Sequence, residues 1–179
     1  KKKGIEVLFL TDEIDEWVVS HLSEFDGKKL KSVAKGELDL DDLGEEESKD
    51  DEAEESRGED KELLAQIEST LGERVKEVRV TNRLTTSPAC LVTDEHDMSA
   101  HLERILSAAG QKIAGAKPIL EINPEHPIVQ RMRAAQDDPK FEDWAHILHD
   151  QALLSEGGRL EDPATFVRRL NEMFQTLAG

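Results

Sequence analysis

The chain is poor in cysteine, in aromatic residues and in positive charge, and it contains no long apolar run. Its single cysteine, Cys90, excludes an internal disulfide framework and a cysteine-based zinc cluster, and fits a reducing compartment. Lys and Arg number 23 against 40 Asp and Glu, a net charge of −17, so a phosphate backbone or an anionic membrane surface is repelled without a local basic patch. No apolar stretch approaches the ~20 residues of a membrane span. The run Val7-Leu8-Phe9-Leu10 is too short for the core of a signal peptide. Neither nucleic acid nor membrane is therefore an expected partner, and the cytoplasm is the expected location. Aromatics make up 4% and hydrophobics 37% of 179 residues, which is room for one ordinary domain, or for one domain and a piece of another.

Catalytic signatures are missing as well. The sequence has no phosphate-cradling Gly-rich loop, no G-x-S-x-G, no C-x-x-C and no H-E-x-x-H. The pair Gly157-Gly158 follows a helical pattern and reads as a helix stop.

What the chain has in excess is acid, unevenly spread. Residues 37–60 hold 14 acidic side chains against Lys49 and Arg57, a net of −12, which leaves −5 for everything else. The only apolar side chains there are Leu38, Leu40, Leu43 and Ala53. Such a stretch cannot bury enough surface to offset the entropy of ordering, and reads as a linker or a solvated helix. An acidic lure for a basic partner is the alternative. The stretch divides the chain into residues 1–36, an acidic linker at 37–59, and residues 60–179.

The short piece reads strand, helix, strand. Ile5 to Leu10 suits a buried strand. Asp12 can cap the next helix, with Asp15 three residues on, and Asp26-Gly27 turns the chain. One βαβ-like unit cannot close its own core, and the chain opens on Lys1-Lys2-Lys3-Gly4, so this piece is expected to be the end of a larger domain.

The long piece mixes helix and strand before becoming purely helical, an α+β pattern. Leu63, Leu64, Ile67 and Leu71 line a helix stopped by Gly72. Strands are expected at Val75–Val80, Ala89–Val92 and Ile119–Ile122, with a helix from about Met98 to Ala109. Pro127 sits at N1 of a further helix. Asp138-Pro139 and Asp162-Pro163 are two copies of one helix-start signal, an Asp N-cap followed by Pro at N1. The two helices so begun are joined by a short connection and predict an antiparallel hairpin. Phe141, Trp144, Ala145, Leu148 and Ala152 lie on one side of the first helix, with Ile147 and Leu154 near another. Phe166, Leu170, Met173 and Leu177 recur at four, three, four in the second, widened by Val167 and Phe174. Two helices cannot cover all of this, and each fully buried large side chain is worth roughly 1.5–3 kcal/mol. A second copy of the hairpin, forming a four-helix bundle about a two-fold axis, is one remedy. Packing on the chain's own domain is the other.

Three further features bear on chemistry. His146 and His149, three apart with Asp143 and Asp150 near, have a spacing able to hold a metal ion, but no third imidazole or thiolate can be placed, and an exposed polar helix face is the expected reading. Cys90, in an apolar strand, is expected to be a small buried hydrophobe; its competing reading is the nucleophile of a small thiol enzyme. Met98, Leu102, Ile105 and Leu106 stripe the expected helix after Thr93, which on pattern alone is an ordinary core-facing helix.

Several segments together resemble one family. Residues 4–17 (GIEVLFLTDEIDEW) and 24–28 (EFDGK) look like the end of the middle domain of the ninety-kilodalton heat-shock chaperones. Residues 72–94 (GERVKEVRVTNRLTTSPACLVTD), 108–112 (AAGQK), 121–129 (EINPEHPIV), 150–157 (DQALLSEG) and 160–163 (LEDP) resemble their C-terminal domain. The absence of a Glu-Glu-Val-Asp ending points to the bacterial, high-temperature protein G type, for which helical-repeat co-chaperones are not expected. The resemblance implies an ATP-driven dimeric chaperone whose ATP and Mg site lies in an N-terminal domain outside this chain. No catalytic residue and no cofactor or metal is then expected here. It also implies a homodimer closed by the last two helices, with Leu148, Ala152, Phe166, Leu170, Met173, Phe174 and Leu177 at the interface. It implies that Met98, Leu102, Ile105 and Leu106 touch non-native client proteins in the cleft between subunits. A family methionine falls where this chain has Leu102.

Overall fold

The computed structural model describes residues 7–12, 15–22, 24–30, 32, 52–94, 97 and 116–178. The chain divides into two compact units, residues 1–48 with 93–116, and residues 49–92 with 117–179.

In the first unit α1 spans Asp15–His21. The Asp15 carboxylate reaches back to accept from the amides of Thr11 and Asp12, both at 3.1 Å, so the cap is made by the third residue of the signal. Strands β1 (Glu24–Phe25) and β2 (Lys28–Lys29) pair antiparallel. Asp26 and Gly27 between them have φ of 51° and 75°. Two successive left-handed residues make the tight turn whose twist matches a hairpin, which is why Asp-Gly stands there. The buried strand expected at Ile5–Leu10 is not found over its described part, residues 7–10, and Ile5 and Glu6 lie outside the described residues. Residues 7–10 are irregular, and Val7, Leu8, Phe9 and Leu10 are all at least half exposed. A strand needs a partner for its amides, and none pairs with this run among the described residues.

The second unit is α+β. Helix α2 spans Glu52–Leu71 and is followed by a single 3-10 turn at Gly72–Arg74. It begins inside the acidic stretch. Leu63, Ile67 and Leu71, one turn apart, are buried and anchor it. Once that end is fixed, propagation costs little through Glu, Ala and Arg, and acidic residues suit the positive end of the helix dipole. Strands β3 (Glu77–Val80), β4 (Ala89–Val92) and β5 (Ile119–Ile122) form a mixed sheet in the order β3-β5-β4. β5 runs parallel to β3 and antiparallel to β4.

The register explains the sheet's two faces. Val78, Leu120 and Leu91 form one cross-strand row, and Val80, Ile122 and Ala89 another. All of these except the partly exposed Val80 join Leu63, Ile67, Met132, Phe141, Ala145 and Leu148 in the core. The alternate row, Arg79–Glu121–Cys90, faces the other way, as period-two alternation requires.

Helix α3 (Pro127–Arg133) has proline in its first turn, and the His126 imidazole accepts from the amide of Ile128. Helix α4 spans Phe141–Ser155 and α5 spans Pro163–Ala178. The two Asp-Pro signals act differently. Asp162 accepts from the amide of Thr165 at 3.0 Å, and Pro163 opens α5 as expected. Asp138 instead closes a turn: its carboxylate accepts from the Lys140 amide and its carbonyl from Phe141, so α4 starts two residues beyond Pro139.

Candidate functional site: the helical hairpin and its charged flank

The connection between α4 and α5 is built by glycine. Gly157 has φ of 71°. Its amide bonds to Leu154 O at 3.0 Å, and the Gly158 amide to Leu153 O at 2.9 Å. This pair of bonds is the Schellman closure. A Cβ at Gly158 would lie 2.4 Å from Leu153 Cδ1 and 2.8 Å from the Leu153 carbonyl oxygen. The chain can therefore turn here only without a side chain.

The expected interface residues divide into groups. Leu148 and Ala152 are each 2% exposed and belong to the chain's own core. They point at the sheet because α4 packs on β4. Phe166, Leu170 and Met173 on α5 are half-buried, and Phe174 is 57% exposed. The side chain of Leu177 lies outside the described residues. Two apolar residues omitted from the expected set are open to solvent, Val167 at 51% and Leu154 at 45%. Their signal was the broadening of the stripe beyond strict four-three spacing. A cleft of about 320 Å³ runs beside this region, between Pro88 and Ala89 of the sheet edge and Leu148, Ala152, Leu154 and Ser155 of α4. The expected client-contact residues Met98, Leu102, Ile105 and Leu106 lie outside the described residues.

The polar flank of α4 links three elements. Arg74, from the 3-10 turn, donates to Asp150 at 3.0 Å. Asp150 also meets His149 Nδ1 at 3.1 Å. One end of the helix away, Arg169 of α5 donates to Asp143 at 2.8 Å. His146 lies between these pairs, and its Nδ1 is buried with no hydrogen-bond partner. The expected exposed polar face is thus corrected: His149 and Asp150 are 5% and 4% exposed. Sequence periodicity does not reveal the partner of Asp150, because Arg74 lies 76 residues away in the chain. Burial raises the Asp150 pKa, but His149 and Arg74 outweigh it and hold the carboxyl below its ordinary value. No group of three or more metal-ligating side chains is present among the described residues.

Cys90 is half-buried, on the polar face of the sheet rather than in the core. Arg83 Nη2 lies 3.3 Å from its sulfur and Glu121 Oε2 lies 3.9 Å from it. Burial pushes the thiol pKa up, Arg83 pulls it down, and the net shift is upward. A thiol held protonated is a poor nucleophile. Among the described residues, no helix is long and apolar enough to cross a membrane.

The described residues of the second unit thus form a three-stranded sheet carrying a helical hairpin whose terminal helix is only half-covered. The chain belongs to the Hsp90 family: the family model "Hsp90 protein" matches residues 1–179, the whole chain. Its relatives carry a more specific name. It is 59% identical over its full length to chaperone protein HtpG of Aromatoleum aromaticum, and 59% identical over 97% of its length to HtpG of Nitrosospira multiformis. Identity to HtpG of Dechloromonas aromatica is 56% over the full chain. The chain spans about 27% of the length of the first two relatives and 28% of the third.

Proposed function

We propose that this chain is the dimerisation and client-contact part of an ATP-dependent molecular chaperone that works as a cytoplasmic homodimer. The observation that carries the reading is α5. It is a sixteen-residue helix with Phe174 and Val167 more than half exposed and Phe166, Leu170 and Met173 only half-covered. A second copy of the hairpin offers the same surface, so an isologous four-helix bundle covers both. Leu154 and Val167 join the proposed interface, and Leu148 and Ala152 support it from beneath.

Residues 1–36 are proposed as the end of a middle domain, 37–59 as an acidic linker, and 60–179 as the dimerisation domain. ATP hydrolysis, with its Mg ion, is assigned to the remainder of the longer protein. The glycine pair of this chain closes a helix, and no residue here is given a catalytic or cofactor role. Client contact is assigned to Met98, Leu102, Ile105 and Leu106. A flexible methionine among aliphatic side chains adapts to many partners, and two copies in a dimer raise weak affinities through avidity.

Sedimentation of the chain at micromolar concentration tests the dimer. A dimer is expected for the wild type and a monomer for Phe174→Asp or Leu170→Asp, which bury an unpaired charge. A wild type that stays monomeric when concentrated overturns the reading. The double substitution Met98→Ser with Leu106→Ser is expected to leave the dimer intact and weaken capture of an unfolded model protein; undiminished capture removes the client assignment.

A further inference from the structure

His146 sits at the middle of α4, one turn from Asp143 and one turn from Asp150, and both of those carboxylates are already engaged. The groups facing it come from three elements: Arg74 from the turn after α2, Arg169 from α5, and Asp143, His149 and Asp150 from its own helix. Its Nδ1 is sealed from solvent and has no partner. A neutral imidazole can leave that nitrogen as a bare acceptor at modest cost. An imidazolium cannot, because both ring nitrogens must then carry a proton. The added N–H would be buried without an acceptor, and the added charge would feel the positive charges of Arg169 and Arg74.

We infer that His146 makes the unit that contains α4 and α5 sensitive to mild acid: it is most stable while this imidazole is neutral and loses stability when the imidazole is protonated. Burial comes first among the causes that hold the imidazole below its ordinary value of 6.5; Arg169 and then Arg74 add to it, and Asp150 opposes. The sign follows from linkage. The unfolded chain takes up this proton at a higher pH than the folded one, so stability is intact above the ordinary histidine range. It is lost as the pH falls from there through the folded value. The inference concerns contacts within one chain and does not need a dimer, although α5 is also the helix that carries the proposed partner-facing stripe.

The test is urea unfolding of the full chain, followed by tryptophan fluorescence, between about pH 7.5 and about pH 5.5, which brackets the ordinary histidine range. The wild type is expected to lose stability across this window. His146→Gln, which keeps size and polarity without titrating there, is expected to lose much less. His126→Gln, which alters the cap of α3 instead, is expected to keep the wild-type dependence. Should His146→Gln fail to fold, the imidazole resonance of His146 in the wild type supplies the same answer by its titration midpoint. Equal pH dependence in wild type and His146→Gln, or a midpoint at or above the ordinary histidine value, overturns the inference.

Discussion

Arg79 donates to a single oxygen of Glu121 twice, from Nη2 at 2.7 Å and from Nε at 3.1 Å, across the β3–β5 pair. Arg83 Nε approaches the other oxygen of that carboxylate at 2.6 Å. The Glu121 side chain is 3% exposed, so the central strand of the sheet carries a buried anion held by two cations. Register places it there: Arg79 and Glu121 are direct cross-strand partners, with Cys90 on the far side.

Removing the anion takes the shared carboxylate from two guanidiniums, of which Arg79 keeps Glu77 at 3.2 Å. Glu121→Ala is expected to lower stability by about 2–4 kcal/mol, below the upper range for a fully buried pair because Arg79 is partly solvated. Glu121→Gln, which keeps an acceptor oxygen, is expected to cost less. Chemical denaturation midpoints of the two variants decide it, and equal midpoints contradict the arrangement.

Cys90 is expected to be alkylated slowly in the folded chain and much faster in urea. The raised thiol pKa leaves little thiolate at neutral pH, and half-burial limits access. Deprotonation favours the unfolded chain, so stability is expected to fall as pH rises above the ordinary thiol range. Arg83→Leu removes the group that opposes the shift, and a thiol pKa lower in that variant than in the wild type contradicts the stated cause.

Asp150 works in the opposite pH direction from the thiol. Its depressed pKa means that the folded chain holds on to the charge while the unfolded chain takes up a proton. Its contribution is present above the ordinary carboxylate range and is lost as the pH falls through the folded value. Asp150→Asn is expected to flatten acid unfolding below about pH 4, where carboxylates titrate, and to cost at least about 1 kcal/mol at neutral pH through the weakened bonds to Arg74 and His149. Circular dichroism along an acid titration measures both.

Gly158→Ala is expected to destabilise the hairpin by about 1–3 kcal/mol, the usual range for forced overpacking. The new methyl meets both the side chain and the carbonyl of Leu153. Because a carbonyl cannot swing aside, relaxation has to move the start of α5. Differential scanning calorimetry reads the loss, and a midpoint equal to wild type contradicts the closure described above.

Most of the second unit is legible in its sequence because local chemistry and packing agree there. Ala89–Val92 and Ile119–Ile122 are short, mostly apolar runs that each follow a proline, Leu63, Ile67 and Leu71 keep strict helical spacing, and Gly157 stops a helix. Disagreement arises where a distant element decides. Asp150 reads as solvated, whereas the fold buries it and pairs it with Arg74 from another part of the chain. Cys90 reads as core because its neighbours are apolar, whereas period-two alternation turns it to the polar face beside Glu121. Val7 to Leu10 read as a buried strand, yet apolar character does not supply the hydrogen-bonding partner that a strand needs. At the candidate site, the α5 stripe follows from spacing alone. The assignment of Leu148 and Ala152 to the core required knowing which side of α4 meets the sheet.

Val92 and Ile119 are register partners on adjacent antiparallel strands, so residues 93–118 leave the sheet and rejoin it at neighbouring points of the same end. A detour of that topology behaves as a cassette. Its length and composition can change between homologues while every ladder bond of β4 and β5 survives. The sheet edge on which the hairpin rests is therefore fixed by residues 89–92 and 119–122 themselves.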